Sequence, residues 1–372
     1  MRNIRTATVV FTALTLAIPA ARAAETNAAP KPKVEVVFVL DSTGSMGGLI
    51  EGAKQKIWSI ANTILSRKPA PEVRVGLLTY RDRGDQYVTK LFDLTDDIDT
   101  VFNNLRTFKA DGGGDSPESV NQALDEAVHK MSWSKDKSVY KAIFLVGDYP
   151  PHMDYKDDVK YPKTCEAAVK QDLIINTVQC GNVPETTPVW QEIARLSEGS
   201  YVGLAQSGNM TTIETPFDKD IAKVNAEVGK TVFAYGSREQ QASVRSKMVA
   251  AAAAPMSVAA DRASYNLKTE GRAVQGRGEL LNDVKEGVVQ LESVRDEDLP
   301  AEMKKLSKEE RAAYLAGKQK ERDALNVQLA DLTRQRSEYI SAENKKLAAS
   351  GKGDTFDQKV AEIINTQADR KR

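Results

Sequence analysis

Histidine and cysteine are nearly missing: the 372 residues hold two of each. A zinc site of four nitrogen and sulfur ligands would have to use all of them. Any mechanism that needs imidazole can draw only on His129 or His152. Net charge is missing too, with 52 Lys+Arg against 52 Asp+Glu, which removes the basic footprint of a nucleic-acid-binding chain. Beyond residue 23 no apolar run approaches the roughly 20 residues that span a bilayer. There is no G-x-S-x-G element and no phosphate-binding loop. The rest is 41% hydrophobic and 28% charged, ordinary globular composition. A length prior of roughly 150 residues per domain suggests about two domains.

The beginning of the chain stands apart. Arg2 and Arg5 precede the apolar run TATVVFTALTLAIPA, and Ala21-Arg22-Ala23 forms an A-x-A cleavage pattern. This succession predicts a secretory signal peptide over residues 1–23, hence an exported protein, periplasmic or extracellular. No Cys follows the cleavage site to carry a lipid anchor. Residues 24–33 read as a flexible Pro/Ala/Lys arm.

From Val34 the pattern changes. VEVVFVL (34–40), VRVGLLTY (73–80), AIFLVG (142–147), LIINTVQC (173–180) and SYVGLA (200–205) are apolar, β-branched runs, and YVTKLF (87–92) reads as a short edge strand. Between them, helical spacing appears at 48–66, 97–107, 118–131, 162–171, 188–197 and 213–229. Buried strands joined by helical crossovers predict an α/β fold, a doubly wound, mostly parallel sheet flanked by helices, over residues 34–230. Residues 231–372 predict an α-helical C-terminal region. There the Ala-rich stretch before Pro255 ends one helix, and Ser307 with Glu310 forms a capping box. That box opens a helix to about Ala349, with Leu325, Leu329, Leu332 and Tyr339 on one stripe, and a final helix follows at 356–369. The stripe is near-heptad but short, so a helix docked on the main domain or in a bundle is favoured over an extended coiled coil. Charge divides at the same place: 22 bases face 29 acids in residues 34–230, and 25 face 22 in residues 231–372.

Ligand sites in such a sheet form beyond the carboxyl ends of the strands, and three oxygen-rich loops fall there. Asp41-Ser42-Thr43-Gly44-Ser45 follows the first strand. Asp111-Gly-Gly-Gly-Asp115-Ser116-Pro117-Glu118-Ser119 precedes the 118–131 helix. Asp148 ends AIFLVG. Carboxylates and hydroxyls are hard ligands suited to Mg²⁺, Mn²⁺ or Ca²⁺.

This set resembles the von Willebrand factor type A domain and its metal ion-dependent adhesion site. Asp41, Thr43 and Ser45 match that family's D-x-[ST]-x-S element, and Asp148 matches the acid after the central strand. The second loop departs from the commonest form and looks like the D-x-P-E loop of integrin β-subunit domains. That likeness makes Glu118 the preferred metal ligand, with Asp115 second and Ser119 weaker. The resemblance implies a non-enzymatic module that binds a partner protein's carboxylate through a divalent metal. The stretches TYRDRGDQYVT, GGGDSPESVNQAL, LVGDYPPH and NTVQCG also look like a subgroup of exported bacterial proteins with a helical extension. Two rivals remain: an envelope assembly protein with a vestigial site, and a metal-assisted hydrolase with His152 as base.

The other candidates have plainer readings. Arg83-Gly84-Asp85 is a tripeptide that recurs by chance. His152 is expected to bond within its loop, and His129 and Trp58, Trp133 and Trp190 to be structural. Cys165, early in one helix, and Cys180, at the end of the next strand, lie at one end of a βα unit. Export would permit a disulfide between them.

Overall fold

The apolar run that opens the α/β region is uninterrupted because both of its faces are covered. In strand β1 (Lys33–Asp41), Val34, Val36, Phe38 and Leu40 enter one core layer, and Val37 and Val39 enter the other. The computed structural model describes residues 31–370 except 115, 211 and 350–354. The expected signal peptide (1–23) and most of the arm (24–30) lie outside the described residues.

After β1 come α1 (Gly47–Leu65), β2 (Glu72–Tyr80), β3 (Thr89–Thr95), α2 (Ile98–Arg106) and α3 (Val120–His129). Next are β4 (Tyr140–Gly147), α4 (Tyr161–Lys170), β5 (Leu173–Cys180), α5 (Thr186–Leu196), β6 (Tyr201–Leu204) and α6 (Asp218–Gly229). The helical region adds α7 (Arg238–Ala252), α8 (Met256–Lys268), α9 (Leu280–Lys285), α10 (Lys308–Ala349) and α11 (Phe356–Arg370). The sheet runs in the order β3-β2-β1-β4-β5-β6. It is parallel except for the antiparallel edge strand β3. Connections from β1 leave toward β2 on one side, whereas β4 starts the other half. The topological switch point therefore lies between β1 and β4, where a ligand crevice is expected. Asp41 ends β1 and Asp148 directly follows β4.

Helices α1, α2 and α11 cover one face of the sheet, and α3, α4 and α5 the other. The last helix thus completes the core of the first half of the chain. Phe356, Val360 and Ile364 are buried with Phe38 and Phe144. Gln367 accepts from the Tyr140 hydroxyl at 2.8 Å and donates to Asn176 Oδ1 at 2.7 Å. The described residues from Lys31 onward form one compact unit.

The helical region is clamped on by buried charge. Arg262 of α8 grips Asp99 of α2 through two bonds of 2.7 and 2.8 Å, and Tyr265 meets Trp58 edge-on at 5.4 Å. Arg336 of α10 bridges Asp218 and Asp261 at 2.7 and 2.6 Å. Arg322 reaches both oxygens of Glu279, at 2.9 and 3.1 Å. The Ser307 capping box forms as expected, with Ser307 N donating to Glu310 at 2.7 Å. The α10 stripe packs within the chain: Leu329 is buried beside Ile221, Val228, Ala260 and Ala263, with Leu325 and Leu332 against them. Leu325, Leu329 and Leu332 are taken up by α6 and α8 while Tyr339 stays exposed, so the stripe gives no support to a coiled coil.

The expected disulfide is absent: Cys165 and Cys180 are both free and buried. Sequence reasoning placed them correctly at one end of the sheet but ignored strand parity. Side chains alternate along β5, so Cys180 joins the layer under α1 and α11, while Cys165 packs under α3, α4 and α5. The sheet lies between the two sulfurs. Burial pushes both thiols up, Cys165 to about 12.

Candidate metal centre

At the switch point three loops converge through main-chain bonds that need no side chain. Gly44 N donates to Gly112 O at 3.2 Å, and Asp111 N to Ser42 O at 3.0 Å. Glu118 N donates to Pro150 O, and His152 N returns a bond to Glu118 O, both at 3.0 Å. The glycines permit this. Gly113 sits at φ +76°, and a Cβ there would lie 2.8 Å from Thr43 Cβ and 3.4 Å from Glu118 Oε1. Gly147 leaves the space in which Asp41 and Tyr80 meet, since a Cβ would stand 3.1 Å from Asp41 Oδ2 and 2.4 Å from the Tyr80 hydroxyl.

Of the residues expected to bind a metal, Asp41, Thr43, Glu118 and Asp148 are buried, and Ser45 is exposed at the rim. Asp115 lies outside the described residues. Asp41 Oδ1 accepts from Thr43 N and Thr43 Oγ1 at 2.8 and 2.7 Å. The Thr43 and Ser45 hydroxyl oxygens are 3.4 Å apart. Asp148 Oδ2 accepts from Gln206 Nε2 at 2.8 Å. The second oxygens, Asp41 Oδ2, Glu118 Oε2 and Asp148 Oδ1, are buried and receive no hydrogen bond from an N–H or hydroxyl, and the Asp41 and Asp148 carboxyls lie within hydrogen-bond reach of each other.

The electrostatics follow from that geometry. Burial, then the neighbouring Asp148, pushes the Asp41 carboxyl up to about 7. Burial, then Asp41, Asp82, Asp148 and Asp85, pushes Glu118 up to about 9. Tyr80, beneath them, is also raised, by burial and by the same three carboxylates. Buried groups of one sign that no cation faces each favour the neutral form. Three unpartnered carboxylate oxygens beside two hydroxyls fit a hard divalent cation in chemistry. Among the described residues no three His, Cys, Asp or Glu side chains are gathered closely enough to chelate an ion.

Around this centre lie residues that the sequence reading missed. Asp82 accepts from Ser119 Oγ at 2.7 Å and from the Tyr155 hydroxyl at 2.8 Å. Asp85 accepts from Gly113 N at 3.1 Å, holding the glycine run in place. Their signal was the RDRGD run directly after β2. His152 bonds Asp154 at 2.8 Å through Nδ1 and stacks on Tyr155 at 4.0 Å, within its own loop as expected, while its Nε2 lies 3.4 Å from Asp82 without a hydrogen bond. Arg83 pairs with Asp157 and Asp158 at 2.9 and 2.6 Å, so the tripeptide's charges serve the loops. Trp58 and Trp190 are core residues, and Trp133 is partly buried against the second layer.

Residues 35–215 match the family model described as von Willebrand factor A domain. Among solved structures, the SpRpn10 VWA domain is 15% identical, with a TM-score of 0.37, over 48% of this chain and 95% of that one. Proximal thread matrix protein 1 from the mussel byssus, described with its MIDAS motif occupied by zinc, is 14% identical, with a TM-score of 0.36, over 47% and 42%. An aerotolerance-related membrane protein from Bacteroides fragilis is 16% identical, with a TM-score of 0.32, over 47% and 92%. A curated relative, the putative ariadne-like RING finger protein R811 of Acanthamoeba polyphaga mimivirus, is 23% identical over 146 residues. The match covers 39% of this chain and only 14% of that relative's length.

Proposed function

From the match of residues 35–215 to the von Willebrand factor A domain model, we propose that the chain is an exported, non-enzymatic protein-binding module. Asp41, Thr43, Ser45, Glu118 and Asp148 would hold a divalent cation, Mg²⁺ or else Mn²⁺ or Ca²⁺. When bound, the cation supplies a Lewis-acidic position for a carboxylate of the partner. The observation that carries this reading is the trio of buried, unpartnered carboxylate oxygens on three separate loops. Leaving such groups unpaired is costly, and a cation removes the cost.

The surroundings support a protein partner. Met153 and Val159 are the only exposed large apolar side chains among the described residues 31–230. Both belong to the segment 148–160 that follows β4. That segment has no helix or strand of its own, a length at which ordered loops are usually functional. It is pinned to the site through Glu118, Asp82 and Arg83. The hydrolase reading has one imidazole near the site to draw on, His152, whose Nδ1 is bonded to Asp154 and whose Nε2 is buried without a hydrogen-bond partner. The assembly reading gains nothing from α10, whose Leu325, Leu329 and Leu332 pack against α6 and α8.

Crosslinking pull-down from envelope extract tests the proposal. A partner retained with Mn²⁺, released by chelator and not captured by Asp41→Ala is expected. Capture indifferent to both metal and Asp41 would overturn it. Export is tested separately by N-terminal sequencing of secreted material, expected to begin at Ala24.

A further inference from the structure

We propose that Gln206 is a positioning residue for the metal centre: its amide fixes one oxygen of Asp148 and leaves the other to the ion. This rests on the metal reading above. Gln206 lies just past β6, and its side chain crosses to two other loops. Nε2 donates to Asp148 Oδ2 at 2.8 Å and to Ser45 O at 3.3 Å, and lies 3.5 Å from Met46 Sδ. Its Oε1 rests against Gly181, where a Cβ would be only 2.1 Å away. The amide orientation follows from the partners, since a carboxylate and a carbonyl can only accept.

The division of labour within Asp148 is what marks the role. Oδ2 is taken by Gln206, while Oδ1 is buried and has no partner. Asp41 shows the same division, with Oδ1 held by Thr43 and Oδ2 left over. Asp41 is steadied by its own loop, however, whereas Asp148 is steadied by a side chain 58 positions further along the chain. The chemistry also suits a neutral donor. Lysine or arginine there would neutralise Asp148 and compete with the ion, and a carboxylate would repel it. An amide orients the carboxylate and leaves its charge for the cation, as partners of metal ligands commonly do.

The test is Mn²⁺ titration calorimetry on the full chain, comparing wild type with Gln206→Met, which keeps the bulk and loses the donor. Gln206→Ala is the second variant should the first not fold. Mn²⁺ affinity is expected to fall about 10- to 100-fold, with the electron paramagnetic resonance spectrum of bound Mn²⁺ altered at saturation. Circular dichroism in chelator should be unchanged. Wild-type affinity and spectrum in a folded variant would overturn the proposal and leave the metal reading intact. No Mn²⁺ binding by wild type would overturn both.

Discussion

Buried charge is handled in different ways in two regions of this molecule. In the helical region, Arg262 meets Asp99, Arg322 meets Glu279, and Arg336 meets Asp218 and Asp261, each with bonds of 2.6–3.1 Å. At the carboxyl end of the sheet, Asp41, Glu118 and Asp148 lie within electrostatic reach of one another, and each has a buried oxygen that no N–H or hydroxyl reaches. Paired charge fixes where α8 and α10 sit. Unpaired charge of one sign is a poor way to hold a fold together and a good way to hold a cation. The difference makes the carboxyl end of the sheet the candidate centre without reference to any relative.

The largest effect that sharpens this contrast is expected in the paired region. Arg322→Ala strands Glu279, itself 1% exposed, as a buried unpaired anion. Stability should fall by about 3–5 kcal/mol, read from urea melts in chelator. A loss no larger than that of an exposed pair, under about 1 kcal/mol, would break the contrast.

Next comes pH. Asp41 and Glu118 have folded-state pKa values raised to about 7 and about 9 from ordinary values of 3.8 and 4.5. The folded chain therefore holds more protons than the unfolded chain between about pH 4 and pH 9, so metal-free stability should fall as pH rises through that window. Melting temperatures in chelator should be lower at pH 8 than at pH 6, and Asp41→Asn should flatten the slope. The opposite slope, unchanged in Asp41→Asn, would contradict the assignment.

The smallest effect is expected from reductant. With the sheet between Cys165 and Cys180, dithiothreitol should leave the melting curve unchanged, and alkylation after denaturation should add two groups. A native disulfide would instead cost about 2–5 kcal/mol on removal.

The α/β region was legible because its physics is local. β-branched runs buried on both faces announced five strands, YVTKLF announced the edge strand, and the loops at their ends announced Asp41 and Asp148. Glu118 rested on a motif resemblance, and the structure brings it to the same centre. Helix α8 escaped notice because it is buried nearly all round, from Ser257 to Asn266, so no amphipathic stripe showed, and the Ala-rich run before it masked the start at Pro255. The helix expected from residue 213 begins at Asp218, after a turn in which Asp218 accepts from Thr215 N at 2.9 Å. Strand parity, which no count of spacing between two elements reveals, undid the disulfide. Gln206 was invisible for a different reason: an isolated glutamine carries no motif, and only tertiary folding brings it to Asp148.

The most direct test of the central claim is the melting temperature of the full chain at pH 7.5, titrated with Mg²⁺ or Mn²⁺, in wild type and Asp41→Ala. A bound cation should stabilise wild type by about 2.7 kcal/mol at a hundredfold excess over its dissociation constant, and Asp41→Ala should lose most of that gain. No shift in wild type with Mg²⁺, Mn²⁺ or Ca²⁺ at millimolar concentration, or an equal shift in Asp41→Ala, would contradict the account.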